Sequence, residues 1–145
     1  MERMLARLFS LVLLFLAACK GDDLVGHGSC FLVHEEKLLV VEQTTGKTAL
    51  PGGQHERNEA PRACAVRETL EETGLEVTAT DLLGLVRNRV HVYRCAATSL
   101  EPKNRPDPRE VRRVLWLPLQ DFPKQAWRFP SEATYYATWY EQVQR

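Results

Sequence analysis

Three glutamates lie within five residues of the chain, at Glu68, Glu71 and Glu72. Side chains three and four positions apart share one face of a helix, so this spacing predicts three neighbouring carboxylates. A group of this kind suits a hard cation such as Mg²⁺, which prefers oxygen ligands, keeps several waters and shares its shell with substrate phosphates. For these three residues alone, a solvated acidic helix face is the alternative interpretation.

The elements on either side of these glutamates favour a positioned site. Pro61–Thr73 is predicted as a helix, since Pro suits a first helical turn and Gly74 is a suitable terminator. Asn58 or Glu59 is predicted to cap it. Arg67 stands four residues before Glu71 and offsets part of the repulsion between the acids. Pro51 and the glycines at 52 and 53 predict a loop before the helix.

The wider pattern resembles the Nudix box. Gly53, five residues, Glu59, seven residues and then the run 67–75, RETLEETGL, reproduce that signature at its spacing. Thr69 is the one soft departure, because the family usually has an aliphatic residue there. The resemblance extends from roughly Val25 to Val143.

The resemblance implies an α/β fold, a Nudix-type α/β/α sandwich with a mixed sheet. It also implies roles for individual residues. The expected metal ligands are Gly52, through its carbonyl, Glu68, Glu71, Glu72 and Glu110. The expected catalytic residues are Glu68, Glu110 and Arg67, with Glu68 the first choice of base and Glu110 the second. Gly53, Glu59, Gly74 and Leu75 complete the box, and Glu59 supports the arginine that orients the carboxylates.

The implied activity is hydrolysis of a diphosphate linkage in a nucleoside diphosphate derivative or a nucleoside triphosphate, with Mg²⁺ or Mn²⁺ as cofactor. The partner is therefore a small nucleotide or diphosphate substrate. One alternative is a non-catalytic module of this fold that binds a ligand. Another is a cytosolic enzyme that cleans the nucleotide pool, with a misassigned start codon.

Several residues offer weaker indications of the substrate. Ser131 stands near the position where the MutT branch carries an asparagine that reads an oxidised purine, which argues against that specificity. Tyr93 matches a tyrosine of dinucleoside-polyphosphate members, although packing explains a strand tyrosine equally. Arg87, Arg89 and Arg94 are candidates for phosphate contact or a solvated strand face, and Trp127 and Phe129 for base stacking or packing.

Length and composition predict one globular domain. The chain has 145 residues, of which 44% are hydrophobic, and 19 basic residues balance 19 acidic ones. Zero formal net charge argues against a broad nucleic-acid-binding surface, so we expect no nucleic-acid partner.

The N-terminus is predicted to be an export signal. Arg3 and Arg7 precede an apolar run over 8–18 that is shorter than a membrane-spanning helix, and the sequence LAAC at 16–19 resembles a bacterial lipobox. The expected organisation is a signal peptide at 1–18, a tether at 19–24 and the hydrolase domain at 25–145. Cys19 is the lipidation candidate, which places the protein on a membrane of the bacterial cell envelope, facing the periplasm or exterior. An uncleaved or simply cleaved signal and a cytoplasmic protein are the alternatives.

The other cysteines, Cys30, Cys64 and Cys95, have no metal-ligand spacing. Small core residues are the default interpretation, and an exported protein can pair two of them. Strands are predicted at Val25–Val33, Lys37–Glu42, Glu76–Thr80, Leu82–Arg89, Val90–Ala97 and Val111–Leu117. A closing helix is predicted at Ser131–Val143, with Ser131 as its N-cap.

Overall fold

The computed structural model describes residues 24–87 and 89–145, so the predicted signal peptide and Cys19 lie outside the described residues. A first sheet has the strand order β5-β1-β7-β6. Its strands are β1 (His27–Phe31), β5 (Gly52–Gly53), β6 (Val77–Val86) and β7 (Val90–Ala97). β1 runs parallel to β7 and antiparallel to β5, which makes this sheet mixed, as predicted.

A second, antiparallel sheet is built around a strand that is apolar over most of its length. This is β3 (Lys37–Gln43), whose central residues are buried on both faces, as a continuous apolar run predicts. β3 pairs with β8 (Val111–Pro118) on one side, and with β2 (Val33–His34) and β4 (Thr48–Ala49) on the other.

Two helices complete the fold. α1 (Pro61–Thr73) packs against β1, and α2 (Ala133–Gln144) follows two 3-10 helices at Leu119–Lys124 and Pro130–Glu132. Among the described residues, no helix is long and apolar enough to span a membrane.

Two hydrophobic cores show that the sheets lie between the helices. The core on the α1 side includes Leu39, Ala65 and Tyr93. The core on the α2 side includes Val40, Val92 and Trp139. Adjacent residues of one strand thus enter opposite cores, because strand side chains alternate between faces. The α/β/α sandwich is confirmed.

Three local predictions were wrong. The strands expected at 76–80 and 82–89 form one strand, β6. Its pairing with β7 is irregular between Ala79 and Gly84, where the break between two strands was expected. α1 begins after Ala60 and has no side-chain cap, so neither Asn58 nor Glu59 fills that role. Ser131 lies in the 3-10 helix, and Glu132 precedes α2 without a capping bond.

The close packing of β1 on α1 depends on Gly28. A Cβ at this position would lie 1.9 Å from the Pro61 carbonyl oxygen and 2.8 Å from the Ala65 nitrogen, both backbone atoms that cannot rotate away. We expect Gly28→Ala to lower the free energy of unfolding by about 3 kcal/mol, the upper range for overpacking. Urea denaturation followed by circular dichroism measures this change, and a stability equal to wild type would contradict the packing described.

The structure resolves the question of the cysteines. Cys30 and Cys95 form a disulfide between β1 and β7, and both are buried in the core on the α1 side. Both cysteines are core residues, as expected, and they are the two that pair, which the sequence left open. Cys64 remains a free, buried thiol whose pKa is raised to about 11 by burial.

Candidate active site

Arg67 organises the carboxylates around α1. Its guanidinium forms a two-pronged ion pair with Glu59, with Nε to Oε1 at 2.8 Å and Nη2 to Oε2 at 2.9 Å. The third nitrogen, Nη1, donates to Glu68 Oε1 at 3.0 Å and to Glu71 Oε2 at 3.1 Å. The Gln54 carbonyl also accepts a hydrogen bond from Nη2. These five contacts position the loop before α1 and the acids on the helix.

Glu59 is the most firmly held acid among the partners of Arg67. Its side chain is only 13% exposed, and Oε2 also accepts the backbone N–H of Glu56. The hydrogen bonds from Arg67 lower the pKa of Glu59 to about 2, so it is ionised at every physiological pH. Its predicted supporting role matches this geometry.

Glu72 lies apart from the arginine. Its carboxylate is buried, with 9% exposure, and Oε2 accepts the backbone N–H of Gly52 at 2.9 Å. Burial raises the pKa of Glu72 to about 8, and the nearby negative charges of Glu68 and Glu110 act in the same direction. No ion pair to Glu72 is present within 24–87 and 89–145. A buried anion with one neutral donor is incompletely stabilised, and a cation beside it would correct this.

Glu68 lies against the glycine loop. A Cβ on Gly53 would lie 2.6 Å from the Glu68 carboxyl carbon, so the glycine leaves room for that carboxylate. Burial raises the pKa of Glu68, and the ion pair with Arg67 opposes this change.

Substitution of Gly53 tests this contact. The far end of Glu68 can move, so we expect Gly53→Ala to lower stability by only about 1 kcal/mol while it displaces the carboxylate. Displacements of this size reduce turnover by about 100-fold. Gly52→Ala is the contrasting variant, because its Cβ would meet the backbone Gly28 oxygen at 2.6 Å and must destabilise the fold. Thermal denaturation and steady-state kinetics separate the two effects, and full activity in a folded Gly53→Ala protein would contradict the assignment.

Glu110 comes from the turn before β8 and is exposed. Burial is the main cause of the raised pKa values of Glu68 and Glu72, and the negative charge of Glu110 adds to both. Glu110 follows Glu68 by 42 positions in sequence, and only the resemblance assigned the two residues to one site. The backbone of Glu110 is held by bonds to Thr44 and Asp107.

The end of α1 follows the sequence pattern. Gly74 adopts a left-handed conformation with φ 77° and donates its N–H to the Leu70 carbonyl. Leu75 is buried in the core. Thr69, the soft departure from the signature, is fully buried and bonds the Ala65 carbonyl, so its hydroxyl is satisfied within the helix.

The oxygen donors around Glu72 suit a hard divalent cation, since carboxylates and a backbone carbonyl are what Mg²⁺ and Mn²⁺ prefer. Among the described residues, however, no three acidic, histidine or cysteine side chains converge closely enough to hold an ion by themselves. The cause is visible in the network, because Arg67 draws Glu68 and Glu71 toward itself while Glu72 faces Gly52. A divalent cation at this position would need further ligands from substrate phosphates and water.

A cleft of about 280 Å³ opens on the other side of the glycine loop. It is lined by residues of β1 and β7, by Arg87 and Arg89, and by the segment before α2. Its polar and aromatic lining includes His27, Ser29, Arg87, Arg89, Arg128 and Phe129. Gly52 and Gly53 border both the cleft and the carboxylates, so a ligand in the cleft can reach the acids across them.

One functional feature of the cleft was not predicted from the sequence. Glu132 is 4% exposed, and its carboxylate pairs with Arg87 Nε at 2.7 Å and accepts a hydrogen bond from the Tyr136 hydroxyl. The Arg87 guanidinium also covers the Phe129 ring at 3.6 Å. Arg87 and Glu132 are 45 positions apart, and no local spacing predicts their contact.

Of the other residues that the sequence suggested as substrate contacts, some line the cleft and others do not. Arg87, Arg89 and Phe129 line the cleft. Arg94 does not, since it bonds the Val143 carbonyl elsewhere. Trp127 is a buried core residue, and Tyr93 packs on the α1 side beneath Arg62, so neither lines the cleft.

Comparison with known proteins agrees with this geometry. Residues 26–139 match the family model described as NUDIX domain. A NUDIX hydrolase from Nitrosomonas europaea has a TM-score of 0.69 and 20% identity, over 83% of this chain and 89% of that one. A MutT NUDIX hydrolase from Burkholderia pseudomallei has 0.65 and 23%, over 82% and 97%. An ADP-ribose pyrophosphatase from Streptococcus suis has 0.64 and 20%, over 82% and 90%. At these identities the solved structures establish the fold.

Proposed function

The chain belongs to the NUDIX domain family of pyrophosphohydrolases, and on that premise we propose that it is a divalent-metal-dependent enzyme cleaving a diphosphate linkage. The substrate class is a nucleoside diphosphate derivative or a nucleoside triphosphate. The observation that carries the proposal is the buried Glu72 carboxylate on Gly52, beside an arginine that holds Glu68 and Glu71. A module that only binds a ligand has no need to keep this concentration of negative charge.

In this proposal Glu68, Glu71, Glu72, Glu110 and the Gly52 carbonyl hold Mg²⁺ or Mn²⁺. When bound, the cation neutralises phosphate charge and lowers the pKa of a coordinated water.

Glu68 is the general base in this scheme. Its Oε1 is occupied by Arg67, so Oε2 is the atom left to accept a proton from the attacking water. Arg67 fixes the orientation of that carboxylate and is itself fixed by Glu59. The cleft residues bind the part of the substrate that is not cleaved and so hold the linkage beside the glycine loop.

A substrate panel tests the activity. Other proteins of this fold are named ADP-ribose pyrophosphatase, UDP-X diphosphatase and Ap4A hydrolase, so the panel contains ADP-ribose, UDP-sugars, dinucleoside polyphosphates and nucleoside triphosphates. We expect hydrolysis of at least one with Mg²⁺ or Mn²⁺ and none with EDTA. Hydrolysis that persists in EDTA, or no hydrolysis of any member with either metal, would contradict the proposal.

We further propose that the protein is exported and anchored through an acylated Cys19. Two observations support this proposal: the lipobox-like sequence at 16–19 and the buried Cys30–Cys95 disulfide, a bond that persists in oxidising compartments. In that compartment the substrate is a nucleotide, nucleotide sugar or lipid-linked diphosphate present outside the cytoplasm.

Mass spectrometry of the native protein tests the location. We expect an N-terminal peptide that begins at Cys19 and carries acyl chains, together with a Cys30–Cys95 cross-linked peptide from the unreduced protein. An intact N-terminal peptide with an unmodified Cys19 would instead support the cytoplasmic alternative.

A further inference from the structure

Arg87 presents a flat and firmly held guanidinium to the cleft. Its carbon Cζ lies 3.6 Å from the centroid of the Phe129 ring, so an aromatic ring covers one face of the group. At one edge, Nε pairs with Glu132 Oε1 at 2.7 Å. The Arg87 side chain is still 37% exposed, and both Arg87 and Phe129 line the cleft. A planar group covered on one face and held at one edge leaves its other face to the cleft.

Glu132 fixes the position of this guanidinium. Its Oε1 accepts a hydrogen bond from Arg87, and its Oε2 accepts one from the Tyr136 hydroxyl. A buried carboxylate is unfavourable unless it is paired and hydrogen-bonded, and here both oxygens have a partner. The ion pair also balances the charge of Arg87, which weakens its attraction for phosphate. The property that Arg87 offers to a ligand is therefore mainly its plane.

The backbone of Arg87 supports the same interpretation. Its φ is 52°, in the left-handed region that residues other than glycine adopt rarely. A glycine would take this conformation without steric cost, but it would remove the side chain from the cleft. Residues held in such conformations cluster at functional sites, where the surrounding contacts maintain them. The chain thus keeps an arginine where the backbone alone favours glycine.

The cleft connects this plane to the carboxylates. Gly52 and Gly53 line the cleft, and the same two glycines lie against Glu72 and Glu68. A diphosphate held at the acids can therefore extend its remaining part into the cleft. The cleft volume of about 280 Å³ is close to the roughly 300 Å³ at which small-molecule sites begin. This size suits one ring system with its sugar better than a long chain.

We propose that the free face of Arg87 stacks on a nucleobase of the substrate. The inference rests on the proposed function and narrows its substrate class to nucleotides and nucleotide sugars, as opposed to lipid-linked diphosphates. Guanidinium planes stack on aromatic rings, and stacking accepts any base because every base has a π-face. A lipid chain in the cleft would instead cover the charged groups of Arg87, Arg89 and Arg128 without offering them hydrogen bonds.

Binding is tested without catalysis. AMP, UMP and ribose 5-phosphate, which differs from them only in lacking the base, are titrated into the metal-free protein in EDTA. The Arg87 Nε–H signal is followed by ¹H–¹⁵N NMR. We expect at least one nucleotide to shift this signal saturably upfield, because a stacked ring shields it, and to bind about tenfold more tightly than ribose 5-phosphate. No Arg87 shift with either nucleotide, or no preference of either over ribose 5-phosphate, would overturn the proposal.

Arg87→Lys is the discriminating variant, because it keeps the charge and removes the plane. We expect it to bind the nucleotide about tenfold more weakly and ribose 5-phosphate as wild type does. Arg145→Lys makes the same change at the exposed C-terminal residue and should alter neither affinity. Unchanged nucleotide affinity in a folded Arg87→Lys protein overturns the stacking site. If that variant does not fold, Phe129→Leu decides: it removes the ring behind the guanidinium without a change of charge, and unchanged nucleotide affinity there has the same meaning.

Kinetics separate this inference from the proposed function. Farnesyl diphosphate is compared with the substrate panel, and a kcat/KM equal to or above that of the best nucleotide would overturn the stacking site. Hydrolysis of a panel member without an Arg87 response to either nucleotide removes the stacking site and leaves the proposed function intact. A nucleotide response at Arg87 in a protein that hydrolyses no member of the panel does the reverse.

Discussion

Glu72→Gln is expected to lower kcat/KM by about 1,000-fold. The substitution keeps the size of the side chain and the acceptor for the Gly52 N–H, and it removes only the charge. Loss of one anionic ligand reduces the stabilisation of the reacting phosphate by several kcal/mol, and each 1.4 kcal/mol corresponds to a tenfold change in rate. Steady-state kinetics on the most active substrate of the panel measure the effect.

The same variant has an opposite effect on the metal-free protein. The Glu72 carboxyl is buried, and burial raises its pKa to about 8, so the metal-free fold must bury either an unfavourable charge or an extra proton. We expect the glutamine variant to be at least as stable as wild type in EDTA. It should also lose the increase in melting temperature that Mg²⁺ gives wild type, because a ligand stabilises only the state that binds it.

A matched control excludes a general effect of charge. Glu141→Gln changes an exposed glutamate of α2 and should leave activity and the Mg²⁺ effect unchanged. Wild-type activity in Glu72→Gln would remove Glu72 from the site, and a marked loss of stability in EDTA would show that the carboxylate has a structural role instead.

Arg67→Gln is expected to lower the free energy of unfolding by about 3 kcal/mol and to remove most activity. The variant leaves Glu59, with a 13% exposed side chain, without its bidentate partner, and an unpaired charge of this kind is strongly destabilising. It also releases Glu68 and Glu71 from the atom that holds both. Urea denaturation and kinetics measure the two consequences.

The companion variants identify the source of the loss. The double variant Glu59→Gln/Arg67→Gln should recover part of the stability lost in Arg67→Gln, because no unpaired Glu59 charge remains. It should recover none of the activity. Arg67→Lys keeps the charge and loses the planar fork, so we expect intermediate stability and low activity. If Arg67→Gln were as stable and as active as wild type, the contacts of Arg67 would contribute neither to stability nor to activity.

The helix and its acids were predictable because their information is local. Glu68, Glu71 and Glu72 need only helical spacing to share a face, and Gly74 needs only its own backbone freedom to end α1. The pairing of Arg67 with Glu71 follows from the same spacing. Glu59 lies outside the helix, and only the resemblance implied that it supports Arg67; in the structure the two side chains are paired.

The cleft and the disulfide could not be predicted from local sequence patterns, because they join residues that are far apart in the sequence. Cys30 and Cys95 meet because β1 and β7 are parallel neighbours, although 65 residues separate them in sequence. Glu132 meets Arg87 because the segment before α2 passes beside the end of β6. The errors at helix ends have a related cause: Ser131 and Asn58 have good capping side chains, and the chain path puts other residues at the caps.

Direct measurement of Mg²⁺ and Mn²⁺ uptake by calorimetry tests the central claim, with the folded protein at neutral pH in the presence and absence of a nucleotide. We predict saturable metal binding that is tighter when the nucleotide is present, because its phosphate oxygens add ligands to those that the protein supplies. We also predict that Glu72→Gln weakens it and Glu141→Gln does not. Absence of heat from either metal under both conditions would contradict the metal-dependent hydrolase.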